Sequence, residues 1–154
     1  LAVEKAVKLD VELVSKDDLL ARSDYILMQA PMTPETHHFL SDAEFSAMKP
    51  GAILVNTGRG PTIDNKALYQ ALTKGHLAAA GLDDPEEEPA KRSNWSPKDN
   101  PIFTLPNVLV TPHAAYYSEE SIHAARVTAA TQVAKVLTGQ EPDYTVNAKA
   151  LAKT

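Results

Sequence analysis

The sequence predicts an α/β fold built on a parallel sheet. Three observations carry that prediction. Short apolar runs alternate with segments of helical pattern. Several of the runs are apolar almost throughout, as strands covered on both faces are. The helical segments open on capping residues, Ser15, Ser41, Asp64 and Ser118.

The elements follow in order. Val11-Glu-Leu-Val14 reads as a short strand. Ser15 to Arg22 reads as a short helix, with Asp17 and Asp18 in the first turn, where the helix dipole favours negative charge. Tyr25 to Ala30 is an apolar strand, ended by Pro31 and Pro34. Ser41-Asp-Ala-Glu44 has the pattern of a capping box, opening a helix that stops before Pro50-Gly51. Ala52 to Asn56 is the next strand, followed by the tight loop Thr57-Gly-Arg-Gly-Pro61. Asp64 caps a helix from Lys66 to Thr73 that stops near Gly75, and Leu77 to Leu82 returns as a strand rich in alanine. An acidic, proline-rich loop then runs from Asp83 to about Pro101; a loop of that length in a compact domain marks a functional or mobile segment. Asn107 to Val110 is a buried strand closed by Thr111-Pro112. Ser118 caps a long helix, with Glu119 and Glu120 in its first turn and Gly139 past its end. The tail, residues 140–154, is polar.

Composition narrows the function. The chain has 154 residues, room for one ordinary domain, and 44% hydrophobic with 23% charged residues is a globular balance that argues against disorder. No apolar run approaches the roughly 20 residues of a membrane helix. The opening Leu1-Ala-Val-Glu-Lys5 lacks the apolar core of a signal peptide. Without cysteine there are no disulfides and no Cys-ligated zinc or iron–sulfur sites, and a cytoplasmic setting is expected. Lysine and arginine number 15 against 20 acidic residues, with no basic stripe, so nucleic acid is not expected as a direct ligand. The first residue is Leu rather than Met, which suggests a chain that starts partway through something larger.

In open α/β sheets ligands bind outside the carboxyl ends of the strands. Four strand ends therefore matter, and together they offer an arginine, several carboxylates and a histidine, a set able to bind an anion and move a proton. Arg59 lies between two glycines, where backbone can approach a ligand and a planar guanidinium can hold a carboxylate; a plain loop arginine paired with an acid fits the same context. His113 follows Thr111-Pro112 and is the candidate proton donor, or else a loop histidine bonded to backbone. Any one of Glu86, Glu87 and Glu88 could orient it, and spacing does not choose among them. Asp83 is a candidate ligand contact or a turn cap. His37, His38, His76 and His123 read as surface or packing residues, and adjacent His37-His38 is not metal-ligand spacing on a helix or strand face. The sequence has no G-x-S-x-G elbow, no G-x-x-x-x-G-K-[ST] loop and no G-x-G-x-x-G turn.

The motifs Asp18-Leu-Leu-Ala-Arg-Ser-Asp24, Pro31-Met-Thr-Pro-Glu-Thr36, Met48-Lys-Pro-Gly-Ala-Ile-Leu-Val-Asn-Thr-Gly-Arg-Gly60, Gly81-Leu-Asp83, Glu87-Glu-Pro89 and Asn107-Val-Leu-Val-Thr-Pro-His113 occur in that order. In this the chain resembles the C-terminal half of the D-isomer specific 2-hydroxyacid dehydrogenases, across residues 11–147. The run His113-Ala-Ala-Tyr-Tyr-Ser-Glu119 is similar to the branch holding the C-terminal binding protein corepressors. The resemblance implies a partial doubly wound, Rossmann-like sheet, the second half of a nucleotide-binding domain over residues 1–139. It includes a return helix over 118–139, with a tail over 140–154 that rejoins a substrate domain. It implies Arg59, Glu88 and His113 as catalytic residues, choosing Glu88 among the three glutamates. It implies NAD, or NADP, contacted by Ala30, Pro31, Met32, Thr33, Thr36, Thr57, Gly58, Arg59, Asp83, His113, Ala114, Ala115 and Tyr116. No metal is implied.

The chemistry so implied is hydride transfer between a nicotinamide and C2 of a small 2-hydroxy or 2-keto acid. Arg59 holds the substrate carboxylate, His113 moves the proton, and Glu88 orients His113. The family is commonly dimeric. This sequence departs from the family at Asp84-Pro85, where Val-Phe or similar is usual, and at Gly58, where Ala or Ser is common. The family's glycine-rich turn belongs upstream of Leu1, so the chain is expected to be a fragment that alone binds NAD poorly and does not turn over. An NAD-regulated corepressor-like module and a non-catalytic half-domain are the alternatives.

Overall fold

The computed structural model describes residues 3–86, 93–94 and 96–147. Two compact units divide the chain, Leu1–Ala115 and Tyr116–Thr154. The second unit begins just before the long helix.

The first unit is a four-stranded parallel sheet in the order β1-β2-β3-β4: β1 Tyr25–Met28, β2 Ile53–Asn56, β3 Ala79–Leu82 and β4 Val108–Val110. The register aligns Leu27, Val55, Gly81 and Leu109 in one row across all four strands. Before and between the strands stand α1 (Val3–Lys8), α2 (Lys16–Arg22), α3 (Asp42–Ala47) and α4 (Asn65–Thr73), with short 3-10 turns at Gly60–Thr62, Pro97–Asp99 and Pro101–Thr104.

Local chemistry starts each helix. The Ser15 side chain accepts from the Asp18 amide, and Asp64 Oδ1 accepts from the amides of Lys66 and Ala67. At α3, Glu44 reaches back to the Ser41 amide at 3.1 Å and takes the Lys16 ammonium at 2.8 Å. The Lys16 bond is the largest influence holding the Glu44 carboxyl down at about 2, against the opposing push of burial; Ser41 adds to the lowering.

The sheet's order explains its burial. Strands added one after another in one direction, each by a right-handed crossover, put the connecting helices on one face. On that face Ile26, Met28, Leu54, Ala80 and Leu82 pack with Leu20, Phe45, Met48, Leu68, Leu72 and Ile102 into one core. The opposite face is open at β1, where Tyr25 is 68% and Leu27 64% exposed. This corrects the expectation of strands covered on both faces: an apolar run records what can be buried, not how many layers the crossovers supply.

A second correction concerns Val11–Val14. These residues form no strand; Val11, Leu13 and Val14 are exposed, and Arg22 holds Glu12 through two bonds of 3.0 and 2.6 Å. A β-branched run without a neighbour to share its ladder gains nothing from extension. Helix α1, which the sequence pattern did not announce, precedes it.

The second unit is α5, Glu119–Leu137, with its following chain. Ser118 caps it by accepting from the Ser121 amide, and Gly139, at φ +73°, ends it in the left-handed conformation. Asp143 folds back on it, bonded to Lys135 Nζ at 2.6 Å and to Gln132. Tyr116 and Tyr117 meet edge to face at its start. Among the described residues no helix is long and apolar enough to cross a membrane.

Candidate active site at the carboxyl edge of the sheet

The last residue of β2 builds the first half of the site. Asn56 is 2% exposed. Its Oδ1 accepts from the Gly58 amide at 2.9 Å, and its Nδ2 donates to the Arg59 carbonyl at 3.2 Å. Thr62, also buried, donates its hydroxyl to the same carbonyl at 2.6 Å. Two neutral buried side chains thus fix the backbone of the Thr57–Pro61 loop. Gly60 allows the third contact: a Cβ there would lie 2.4 Å from the Pro85 carbonyl carbon and the Glu86 amide, so only glycine lets the β2 and β3 loops touch. Arg59 stands on this loop with its side chain exposed, Nη1 donating to the Gly58 carbonyl.

Asp83, just past β3, builds the second half. It is 4% exposed, and its carboxylate is turned into the chain that follows β4. Oδ1 accepts from Thr111 Oγ1 and, at 2.8 Å, from the Ala114 amide; Oδ2 accepts from the Ala115 amide at 2.8 Å. Burial pushes the Asp83 carboxyl up, but Thr111, the amides of Ala115 and Ala114 and the nearby His113 outweigh it, leaving the group below its ordinary value. Inside the turn so formed, His113 adopts φ +54°, a left-handed conformation that a residue with a Cβ holds only when its surroundings impose it. Its amide donates to the Asp83 carbonyl at 2.8 Å.

These two loops bring Arg59 Nη1 to 3.4 Å from His113 Nε2. A guanidinium can only donate, so a hydrogen bond at this contact uses Nε2 as its acceptor, with Nδ1 on the other side of the ring. On that side Asp84 Oδ2 lies 3.9 Å away, its side chain almost wholly buried. Beside Arg59 a cleft of about 410 Å³ opens at the ends of β1 and β2, lined by Gln29, Ala30, Pro31, Met32, Thr57, Gly58 and Arg59. The profile of the D-isomer specific 2-hydroxyacid dehydrogenase NAD-binding domain matches residues 2–115.

The chain belongs to that family. It is 44% identical over 145 residues to D-3-phosphoglycerate dehydrogenase of Methanocaldococcus jannaschii, covering 94% of this chain and 26% of the relative. It is 40% identical over 140 residues to glyoxylate reductase of Korarchaeum cryptofilum, covering 91% and 40%. Among solved structures, D-lactate dehydrogenase from Aquifex aeolicus, complexed with NAD and lactic acid, superposes with a TM-score of 0.81 at 33% identity, covering 90% of this chain and 44% of that one. The dehydrogenase domain described here thus spans a quarter to less than a half of these relatives' lengths.

NAD is the cofactor of this domain family, and the cleft fits part of it. Its volume lies in the range of small-molecule sites. A methyl at Gly58 would come to 3.1 Å from the Ala30 carbonyl oxygen, a tight contact that needs a shift of a few tenths of an ångström.

Most residues singled out from sequence meet at this edge. Ala30, Pro31, Met32, Thr57, Gly58 and Arg59 share the cleft. Thr33 and Thr36 shape the turn beyond it: the Thr36 hydroxyl accepts from the Thr33 amide and donates to the Pro31 carbonyl, each at 2.7 Å. Asp83, Ala114 and Ala115 form the turn that presents His113, with the Asp83 carboxylate as its cap. Glu88 lies outside the described residues, and Tyr116 belongs to the second unit. The sequence reading missed Asn56, Thr62 and Asp84 as site residues. Asn56 could have been suspected, because a polar residue closing an apolar strand needs a partner in the following loop. Asp84 was visible only as a departure from the family pattern.

Proposed function

We propose that this domain supplies the nicotinamide-side cleft and the substrate-facing pair of an NAD-dependent dehydrogenase acting on a small 2-hydroxy or 2-keto acid. The observation that carries the reading is the approach of Arg59 and His113 to 3.4 Å beside the cleft, from loops following two different strands. In reduction, the Arg59 guanidinium binds the substrate carboxylate in a bidentate fashion and draws on the adjacent carbonyl oxygen. His113 gives its proton from Nε2 to that oxygen as C2 becomes tetrahedral. NADH, held by the backbone lining the cleft, would supply the hydride at C2, so that a 2-keto acid, NADH and a proton become a 2-hydroxy acid and NAD+. Asp84 faces Nδ1 at 3.9 Å, and the family resemblance assigns Glu88 to orient the ring. In oxidation the same groups act in reverse.

Cofactor placement is tested by titrating NADH into the isotopically labelled chain and following backbone amides by NMR. The reading predicts that shifts concentrate at Ala30, Met32, Thr57 and Gly58. Shifts confined to other surfaces would contradict it.

A further inference from the structure

A second cluster of chemistry-bearing side chains lies in the turn after β1 and uses none of the residues assigned to the keto-acid site. Adjacent histidines point opposite ways on a strand and diverge on a helix, which is why the pair His37-His38 carries no metal signal in sequence. Here neither case holds. His38 sits at φ +48°, which breaks the alternation, and the two rings stack with centroids 4.0 Å apart. The turn that precedes α4 holds this bend in place: the His38 amide donates to the Pro61 carbonyl at 2.8 Å, and Leu40 forms an isolated bridge with Ile63.

A carboxylate from 48 residues away completes the cluster. Glu86 Oε1 lies 2.8 Å from His38 Nε2. The Asn65 amide donates to the other oxygen at 3.3 Å, and Asn65 Nδ2 donates to the Glu86 carbonyl at 3.2 Å, so both the carboxylate and its backbone are oriented. One ligand atom from each of His37, His38 and Glu86 lies within 4.8 Å of the others. On the far side of the His38 ring, Nδ1 faces Asp64 Oδ2 at 3.7 Å. Because a carboxylate only accepts, Nε2 carries the proton in the Glu86 contact, and metal binding would displace that proton, with Asp64 placed to orient the ring from the Nδ1 side.

We propose that His37, His38 and Glu86 form a binding site for a divalent transition ion of the zinc class. Two imidazoles and one carboxylate suit zinc, cobalt or nickel and not magnesium or calcium, which prefer oxygen. Bonds of about 2.0–2.1 Å in a tetrahedral site set ligand atoms roughly 3.3 Å apart. His37 is exposed, so its ring has room to turn toward the His38–Glu86 pair, and water would supply the fourth ligand. Bound metal joins the turn after β1 to the loop after β3.

The test is calorimetric titration of the full 154-residue chain with zinc chloride, repeated with cobalt(II) to read coordination from its visible absorption. The expected result is one ion per chain with a dissociation constant below about 10 μM. His37→Ala and Glu86→Gln should each weaken binding by at least about tenfold. His123→Ala, in the second unit, should leave it unchanged. Far-UV circular dichroism confirms that each variant is folded; His37 is exposed, so its removal tests binding without disturbing the core. Absence of saturable one-to-one binding, or affinity unchanged in either His37→Ala or Glu86→Gln, would overturn the proposal.

Discussion

The two loops that present Arg59 and His113 are fastened by different chemistry. The Arg59 loop is held by an amide and a hydroxyl, Asn56 and Thr62, both buried and both neutral. The His113 turn is held by one buried carboxylate, Asp83, whose two oxygens accept from Thr111, Ala114 and Ala115. Both presented side chains are accessible while the groups behind them are not. Precision at this edge therefore comes from buried polar residues one step behind the chemistry, and only one of the two loops depends on a charge.

The difference can be broken at its strongest point first. Gly60→Ala forces a methyl into the Pro85–Glu86 backbone, and urea unfolding should show a loss of about 2–3 kcal/mol. Asn56→Ala orphans the half-buried Gly58 amide and should cost about 1–2 kcal/mol, with the Gly58 amide newly open to hydrogen exchange. Asp83→Asn keeps one acceptor oxygen and loses the other; about 1–2 kcal/mol is expected, with faster exchange at Ala114 or Ala115 and no change at Gly58.

Acid sharpens the comparison. Asp83 is lowered from 3.8 in the folded chain, so its contribution is full above that value and is lost as pH falls through the folded one. Protection of Ala114 and Ala115 should fall across that acid range, and Asp83→Asn should remove the pH dependence. Gly58, held by neutral groups, should lose protection only with the whole unit. That global limit is set in part by Glu44: lowered to about 2 from 4.5, it stabilises fully above pH 4.5 and progressively less toward pH 2. Glu44→Gln should cost about 1 kcal/mol at neutral pH and less as pH falls over the same range.

Local signals in the sequence were read correctly where the physics is local. Ser15, Asp64 and Ser118 cap helices where their side chains meet amides two or three residues on. The strands at 53–56 and 79–82 sit inside the predicted runs, because apolar β-rich segments bounded by glycine and proline have few other ways to be buried. What sequence could not supply is what depends on distant partners. Val11–Val14 has strand composition but no strand beside it. Tyr25 and Leu27 have buried-strand composition but are exposed. Asp84 meets His113 and His38 meets Glu86 only once the sheet has brought their loops to one edge.

The most direct test of the account is the response of Arg59 and His113 to a 2-keto acid. Glyoxylate is titrated into the chain in the presence of NADH, and the Arg59 Nε–H and His113 ring signals are followed by NMR. The account predicts saturable shifts at both residues together, abolished by Arg59→Ala and weakened in Arg59→Lys, which keeps the charge but loses the planar fork. Shifts at neither residue, or shifts that persist in Arg59→Ala, would contradict the claim that this edge binds the acid.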